Sequence, residues 1–208
     1  MTSQVGLAVL ASYLLGAIPA SLWTVRAVKG IDLRSVGSGN LGATNLYRLL
    51  GFKYAIPVGL FDALKGAIPV ALFGPWAGLG LVGSFLLGVV AVAGHAFSVF
   101  ANFKGGKGVA TGSGIILGIA PWAFLVTLAV WATTVRLSGY VSLGSILAAA
   151  VLPPAVWFLH PDRRAIVWGV AALSLAIIWF HRANVRRLLN GTENRFGTRG
   201  GDSTAATG

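Results

Sequence analysis

"GVATGSGIILGIAPWAFLVTLAVWATTVRL", residues 108–137, decides the fold. It holds no charge before Arg136 and carries Pro121 near its middle. A membrane-spanning helix needs roughly 20 apolar residues. The stretch therefore reads either as one long span or as two short helices meeting at Pro121, whose backbone cannot donate a hydrogen bond. The sidedness of the basic residues arbitrates, because Lys and Arg gather on the cytoplasmic side of multi-span proteins. With a single span, Arg136, Arg182, Arg186, Arg187, Arg195 and Arg199 fall outside, six basic residues against nine inside. With a turn at Pro121 the inside set grows to thirteen (26, 29, 34, 48, 53, 104, 107, 136, 182, 186, 187, 195, 199). Only Arg163 and Arg164 are then outside, with Lys65 in the membrane. The second reading obeys the rule better. It predicts about seven transmembrane helices, at 5–25, 54–73, 78–100, 108–120, 121–137, 140–158 and 164–182. The N-terminus is expected outside and the C-terminus in the cytoplasm. A re-entrant hairpin over 108–137 gives the same sidedness with five true spans.

Composition supports the class. Hydrophobic residues make up 56% of the chain and charged residues only 10%, against about 25% charged in a soluble domain. The fold class is therefore an all-α integral membrane protein, one polytopic domain over 1–197, with a small, polar tail at 198–208 that reads as disordered. The 208 residues include no cysteine, which excludes disulfides, a thiolate nucleophile and a Cys-ligated metal. The net charge of +11 suits anionic lipids and anionic substrates at a membrane face. No basic soluble domain is present to bind nucleic acid. Residues 1–25 carry no charge, so the charged start of a cleavable signal is missing and the first helix is expected to stay in the membrane. Glycine occurs 29 times, about twice the usual frequency. Those in apolar runs, such as Gly78, Gly80, Gly83 and Gly88, read as sites of close helix approach.

Four polar segments reach one face in this topology: 37–48, 102–112, 136–145 and 181–196. "GSGNLGATNLYR", 37–48, sets Ser38, Asn40, Thr44 and Asn45 among Gly37, Gly39 and Gly42. Glycine lets an anion approach backbone N–H groups. Capping of the next helix would need only one of these side chains, so an anion site including Arg48 is preferred. "NFKGGKGVATG", 102–112, looks like a nucleotide-binding P-loop, but Gly108 stands where that motif needs Ser or Thr after Lys107. A membrane helix also precedes it in place of a strand. Phosphate binding by backbone N–H groups and a lysine at a helix start does not need the motif. Lys104, Gly105, Gly106, Lys107 and Gly108 are candidates for it. Asp62 and Lys65, three residues apart in the second span, either pair with each other or serve a site. His181 and Asn184 share a helix face with Arg187, and Glu193 follows in the same polar segment. His95 is read as an interhelical hydrogen-bonding group, and His160 is assigned no role. With five acidic residues in all, a carboxylate metal cluster is not expected. No H-x-x-x-x-D motif and no G-x-S-x-G elbow is found.

In this order, "GSGNLGATNLYR", "DALKG", "GH…FKGGKGVAT" and "HRANVRRLLNGTE" resemble the bacterial PlsY family of membrane glycerol-3-phosphate acyltransferases. The resemblance runs from about residue 5 to 196. It implies a seven-helix enzyme of the bacterial inner membrane, with its active site on the cytoplasmic side. The substrates implied are acyl phosphate and glycerol 3-phosphate, with no cofactor, no metal and no acyl-enzyme. It also implies contact with membrane lipids and with a soluble enzyme that makes acyl phosphate. Residue by residue, it places Ser38, Lys107, His181 and Asn184 in catalysis and Gly39 and Asn40 at the phosphates. Thr44 and Arg48 assist, and Lys104 and Ser145 are secondary candidates. The base toward the glycerol hydroxyl is either His181 or a substrate phosphate. A transporter for organic phosphates is the alternative, and the lack of an internal repeat counts against it.

Overall fold

The structure, a computed structural model, describes residues 2–197. The tail assigned to 198–208 lies outside the described residues. Eleven α-helices follow in order: α1 (Thr2–Ala17), α2 (Ala20–Lys29), α3 (Ala43–Leu50), α4 (Phe52–Ile68), α5 (Gly74–Trp76), α6 (Leu81–Ala96), α7 (Val109–Ile119), α8 (Pro121–Ser138), α9 (Val141–Leu159), α10 (Val167–Phe180) and α11 (Arg182–Leu189). Among the described residues there is no strand. Five helical stretches among the described residues are long and apolar enough to cross a membrane: Thr2–Lys29, Phe52–Trp76, Leu81–Ala101, Val141–Leu159 and Pro161–Phe180. Only about a third of the Phe52–Trp76 and Pro161–Phe180 windows is buried (33% each). Their outer faces present Leu60, Leu64, Leu72, Leu175 and Trp168. A surface of that kind is stable against lipid, not water.

The chain breaks at Pro121 as the charge count requires. α7 ends at Ile119 and α8 begins at Pro121, with Ala120 at φ −147° and ψ 66° between them. Proline suits the first helical position, where its missing N–H needs no partner. His160, unassigned in the sequence, is buried and its Nε2 accepts from the Ala123 amide at 3.4 Å, one of the α8 donors without an intrahelical partner.

Three local features differ from the sequence reading. The first apolar run is two helices, because Pro19 disfavours the helical conformation at Ile18 and supplies no N–H. The polar loop 26–52 contains α3, which starts at Gly42 without a side-chain cap, so Ser38, Asn40 and Thr44 do not serve that purpose. Gly78 is a left-handed turn residue at φ +69° with open space around it, and Gly80 is likewise open. Of the four glycines singled out, Gly88 is the one that brings helices together, against Val70 and Ile115. The tightest approach joins α4 to α7. A Cβ on Gly114 would overlap the Ala63 carbonyl, and one on Gly66 would overlap the Thr111 carbonyl.

Two apolar clusters flank the polar segments. Phe85, Ile115, Ile116, Leu152, Val156, Val170 and Ile177 tie α6, α7, α9 and α10 together. Leu22, Val25, Leu33, Leu41, Leu46 and Val58 form a second cluster under the 30–42 loop. The start of α7 packs against the first cluster through Val109.

Candidate active site

The 30–42 loop is built from the inside. Asp32 accepts from the Arg34 amide at 2.9 Å and pairs with Arg34 Nη2 at 2.6 Å and Arg26 Nη2 at 2.8 Å. Arg34 hydrogen bonds hold the Asp32 carboxyl well below the usual carboxylate range. Arg34 Nη1 also donates to the Ala101 carbonyl at 3.1 Å, linking this loop to the next polar segment. Asn45 is buried, with its amide spent on the loop. Its Oδ1 accepts from the Ser38 N–H at 3.0 Å, and its Nδ2 donates to Val36 O at 3.1 Å and Leu33 O at 3.3 Å. Gly37 and Gly39 take positive φ, +59° and +68°, a conformation that favours glycine, on either side of Ser38.

The 102–108 segment is held by the end of α6. The Gly105 and Gly106 amides donate to Ala96 O and His95 O, each at 3.0 Å, and the Lys104 amide to Ala101 O at 3.2 Å. These N–H groups cap carbonyls of the preceding helix, so they are not part of an anion cradle. Glycine is required there for a different reason, since a Cβ on Gly105 would overlap His95 O. Lys104 is exposed. Gly108, at φ +77°, opens α7.

Lys107 turns inward and donates through Nζ to Asn184 Oδ1. Asn184 Nδ2 donates in turn to Glu193 Oε1 at 2.7 Å. That carboxylate also accepts from Ser142 Oγ at 2.9 Å and Arg187 Nε at 2.7 Å. Glu193 thereby ties α9 and α11 to the lysine. Burial opposes its charge, but hydrogen bonds from Asn184, Arg187 and Ser142 outweigh burial and hold its carboxyl below the ordinary value. Arg48 reaches the same group of charges and donates to Asn194 O at 3.3 Å. Its Nε is buried and has no partner. Burial, opposed by Glu193 and aided by Arg187 and Arg48, lowers the Lys107 ammonium to about 8.

His181 sits at the α10–α11 junction, buried, with Nδ1 against Ile177 O at 2.8 Å. A carbonyl only accepts, so Nδ1 carries the proton and the Nε2 lone pair is left free. Burial, then the Lys107 charge, lowers this imidazole to about 4, so it is neutral near pH 7. Three cations thus surround one saturated carboxylate, an excess of positive charge suited to a phosphate. Among the described residues no group of three His, Cys, Asp or Glu side chains stands close enough to hold a metal.

Of the sequence candidates, Lys107, His181, Asn184, Glu193 and Arg48 are brought together. Among the described residues no hydrogen bond joins Ser38, Asn40 or Thr44 to that group. Ser145 is buried, bonds Val141 O at 2.9 Å within its own helix, and lines a narrow, mainly apolar cleft with Val109, Ile116, Leu152, Leu173 and Ile177. The cleft begins beside the site, since Val109 follows Gly108 and Ile177 holds His181. Two participants stand outside the sequence candidates. Arg187 was placed on the face of His181 and Asn184 but given no role, and Ser142 was not singled out. Nothing local distinguishes Ser142 from Ser145, one turn away.

The family model for glycerol-3-phosphate acyltransferase matches residues 6–191. The chain belongs to the PlsY family of glycerol-3-phosphate acyltransferases. Three proteins bearing the name glycerol-3-phosphate acyltransferase are similar in sequence along nearly their whole length. The one from Syntrophotalea carbinolica is 46% identical, over 90% of this chain and 95% of its own. That from Geotalea daltonii is 44% identical, over 94% and 99%, and that from Chlorobaculum tepidum 40%, over 90% and 94%. The crystal structure of PlsY (YgiH), an integral membrane glycerol 3-phosphate acyltransferase, in its glycerol 3-phosphate form, superposes with a TM-score of 0.83. It is 38% identical and the match covers 93% of this chain and 96% of that one. The lysophosphatidic acid form gives 0.81 at 36% identity. Membership makes this chain an acyltransferase and a multi-pass membrane protein. Lys107 and Asn184 lie inside the matched range, and Glu193 stands two positions beyond its end.

Proposed function

We propose that this protein transfers an acyl chain from acyl phosphate to the 1-hydroxyl of glycerol 3-phosphate, giving 1-acyl-glycerol 3-phosphate and phosphate. The observation that carries the reading is the trio Lys107, Arg48 and Arg187 around Glu193 at the mouth of an apolar cleft. Both substrates bring phosphates for the cations, and the donor brings a chain for the cleft. The crystallised relative's glycerol 3-phosphate and lysophosphatidic acid forms support the acceptor and the product. Acyl phosphate is already activated, so the protein supplies position and charge stabilisation. The hydroxyl oxygen attacks the acyl carbon and the bond from that carbon to the phosphate oxygen breaks. Lys107 stabilises the charge gathering on the leaving phosphate, and Arg48, with its unpartnered Nε, holds a second phosphate oxygen. Ser38, Gly39, Asn40 and Thr44 line the acceptor side, and Lys104 adds field at the rim. Asn45, Gly105 and Gly106 shape the loops, Gly108 starts α7, and Ser145 faces the acyl chain.

The hydroxyl proton goes to a substrate phosphate oxygen. A phosphate monoester has its second pKa near 6, closer to working pH than an imidazole lowered to about 4. His181→Gln is therefore expected to lose no more than about tenfold in kcat, whereas removal of a general base costs 10²–10⁴-fold. A larger loss makes His181 the base. The pH profile follows from Lys107. Its useful form is the protonated one, present below its pKa and lost as pH rises through it. kcat/KM should fall above about pH 8, and Lys107→Arg should move that limb upward.

The proposed setting is the bacterial inner membrane, with seven helices, the N-terminus outside and the site on the cytoplasmic side. Residues 1–197 act as one unit beside membrane lipids. Passing contact with a soluble enzyme that makes acyl phosphate fits a donor too apolar to diffuse freely. The test is purified protein in lipid vesicles with radiolabelled glycerol 3-phosphate and either acyl phosphate or acyl-CoA. Labelled lipid with acyl phosphate alone is the expected result. Product only with acyl-CoA overturns the donor, and uptake without product overturns the reaction.

A further inference from the structure

Below the site lies a second group of ionisable residues that takes no part in the chemistry above. Asp62, Lys65 and His95 are 2%, 1% and 8% exposed. Lys65 Nζ donates to Asp62 Oδ1 at 2.6 Å and to Ile18 O at 2.5 Å. Of the two alternatives left by the sequence, the structure shows the pair formed, and Lys65 grips a second element besides. Ile18 is the residue before Pro19, at the break between α1 and α2. His95 Nδ1 stands 3.8 Å from Asp62 Oδ1. On its other side the imidazole lies against Gly106, where a Cβ would overlap Nε2, and the His95 carbonyl receives the Gly106 amide. One small cavity is lined by Ile18, Leu41, Asp62, Lys65, His95 and Gly106. It touches the helix break, the end of the 30–42 loop and the residue before Lys107. Charges inside a membrane span are costly and persist where they are paired or used.

We propose that Asp62, Lys65 and His95 are positioning residues for Lys107: the buried pair fixes the His95 ring, the ring and its carbonyl fix Gly106, and Gly106 fixes where the next residue enters the site. A staple that only held α1 to α4 would not need His95 between Asp62 and the glycine. The proposal rests on the acyl-transfer reading only for its kinetic consequence. Its geometric claim concerns Lys107 itself.

The experiment uses full-length protein in detergent and in vesicles. Asp62→Leu with Lys65→Met replaces both members of the buried pair by apolar side chains, which avoids leaving one charge alone. His95→Phe is the second variant, so the test stands if the double variant does not fold. The first readout is the pH dependence of Lys107 acetylation by trace acetic anhydride, resolved by peptide mass spectrometry, with exposed Lys104 as the reference. The groups facing Lys107 are Asn184, Glu193, Arg187, Arg48 and His181, and none is altered. In wild type the midpoint is expected at about 8. In the variants a displaced, better hydrated lysine titrates above about 9, toward its free value. The second readout is kinetic, with kcat expected to fall at least tenfold per folded molecule. A midpoint that stays at the wild-type value overturns the positioning role, whatever activity does. A midpoint that rises while transfer continues at the wild-type rate upholds the positioning and overturns the use of Lys107 in the reaction.

Discussion

Lys107→Ala is expected to abolish phosphate release from acyl phosphate and glycerol 3-phosphate while leaving a folded protein. The ammonium is the most enclosed of the three site cations that is not already committed to Glu193, and its hydrogen bond goes to Asn184. Loss of one preorganised donor at a developing oxyanion costs about 10²–10³-fold in kcat. A full charge in a water-poor site belongs at or beyond the upper end. Folding should survive, because Glu193 retains Ser142, Asn184 and Arg187 as donors. The check is phosphate release by purified variant together with its thermal midpoint. Turnover within tenfold of wild type, with an unchanged midpoint, would remove Lys107 from the mechanism.

Glu193→Ala is expected to act first on stability. The carboxylate receives three hydrogen bonds and is 9% exposed. Its removal leaves the Asn184 amide and the Ser142 hydroxyl buried without their acceptor and places Arg187 near Lys107 and Arg48 without a counter-charge. Arg187 is about a third exposed (34%), so the loss should stay below the ~3–5 kcal/mol seen when a fully buried pair is broken. The native carboxyl titrates below its ordinary value, so the stability it supplies is present at neutral pH and is lost as pH falls through the folded pKa. The variant should unfold at lower temperature than wild type at pH 7, and the gap should narrow in acid. Equal midpoints at pH 7 would show that the carboxylate holds nothing together. Glu193→Gln keeps one acceptor and should fall between the two.

The helix break at Pro121 was legible because it decides on which side eight basic residues fall: 136, 163, 164, 182, 186, 187, 195 and 199. The break at Pro19 was not, because it interrupts an apolar run without moving any charge across the membrane. α3 was hidden for another reason: its eight residues sit in a glycine-rich polar stretch and its start carries no side-chain cap. Lys107, Asn184 and Glu193, which the structure joins by hydrogen bonds with His181 beside them, were singled out by their polar segments and by the family resemblance. The function of the glycines was less legible. Gly105 and Gly106 look like an anion cradle in sequence, yet their amides close the end of α6. Sequence gives a backbone's freedom but not the carbonyl its N–H will find. Ser142 needed a partner 51 positions away, and no local pattern carries that distance.

The shortness of α7 bears on how two unlike substrates meet. Its 11 residues measure about 16 Å at 1.5 Å per residue, against roughly 30 Å of hydrocarbon. On the seven-helix reading proposed above, such a mismatch is expected to be relieved by local thinning of the bilayer around the short segment, which would bring the aqueous boundary toward the mouth of the cleft. A water-soluble acceptor need not enter oil, and a chain-bearing donor need not leave it.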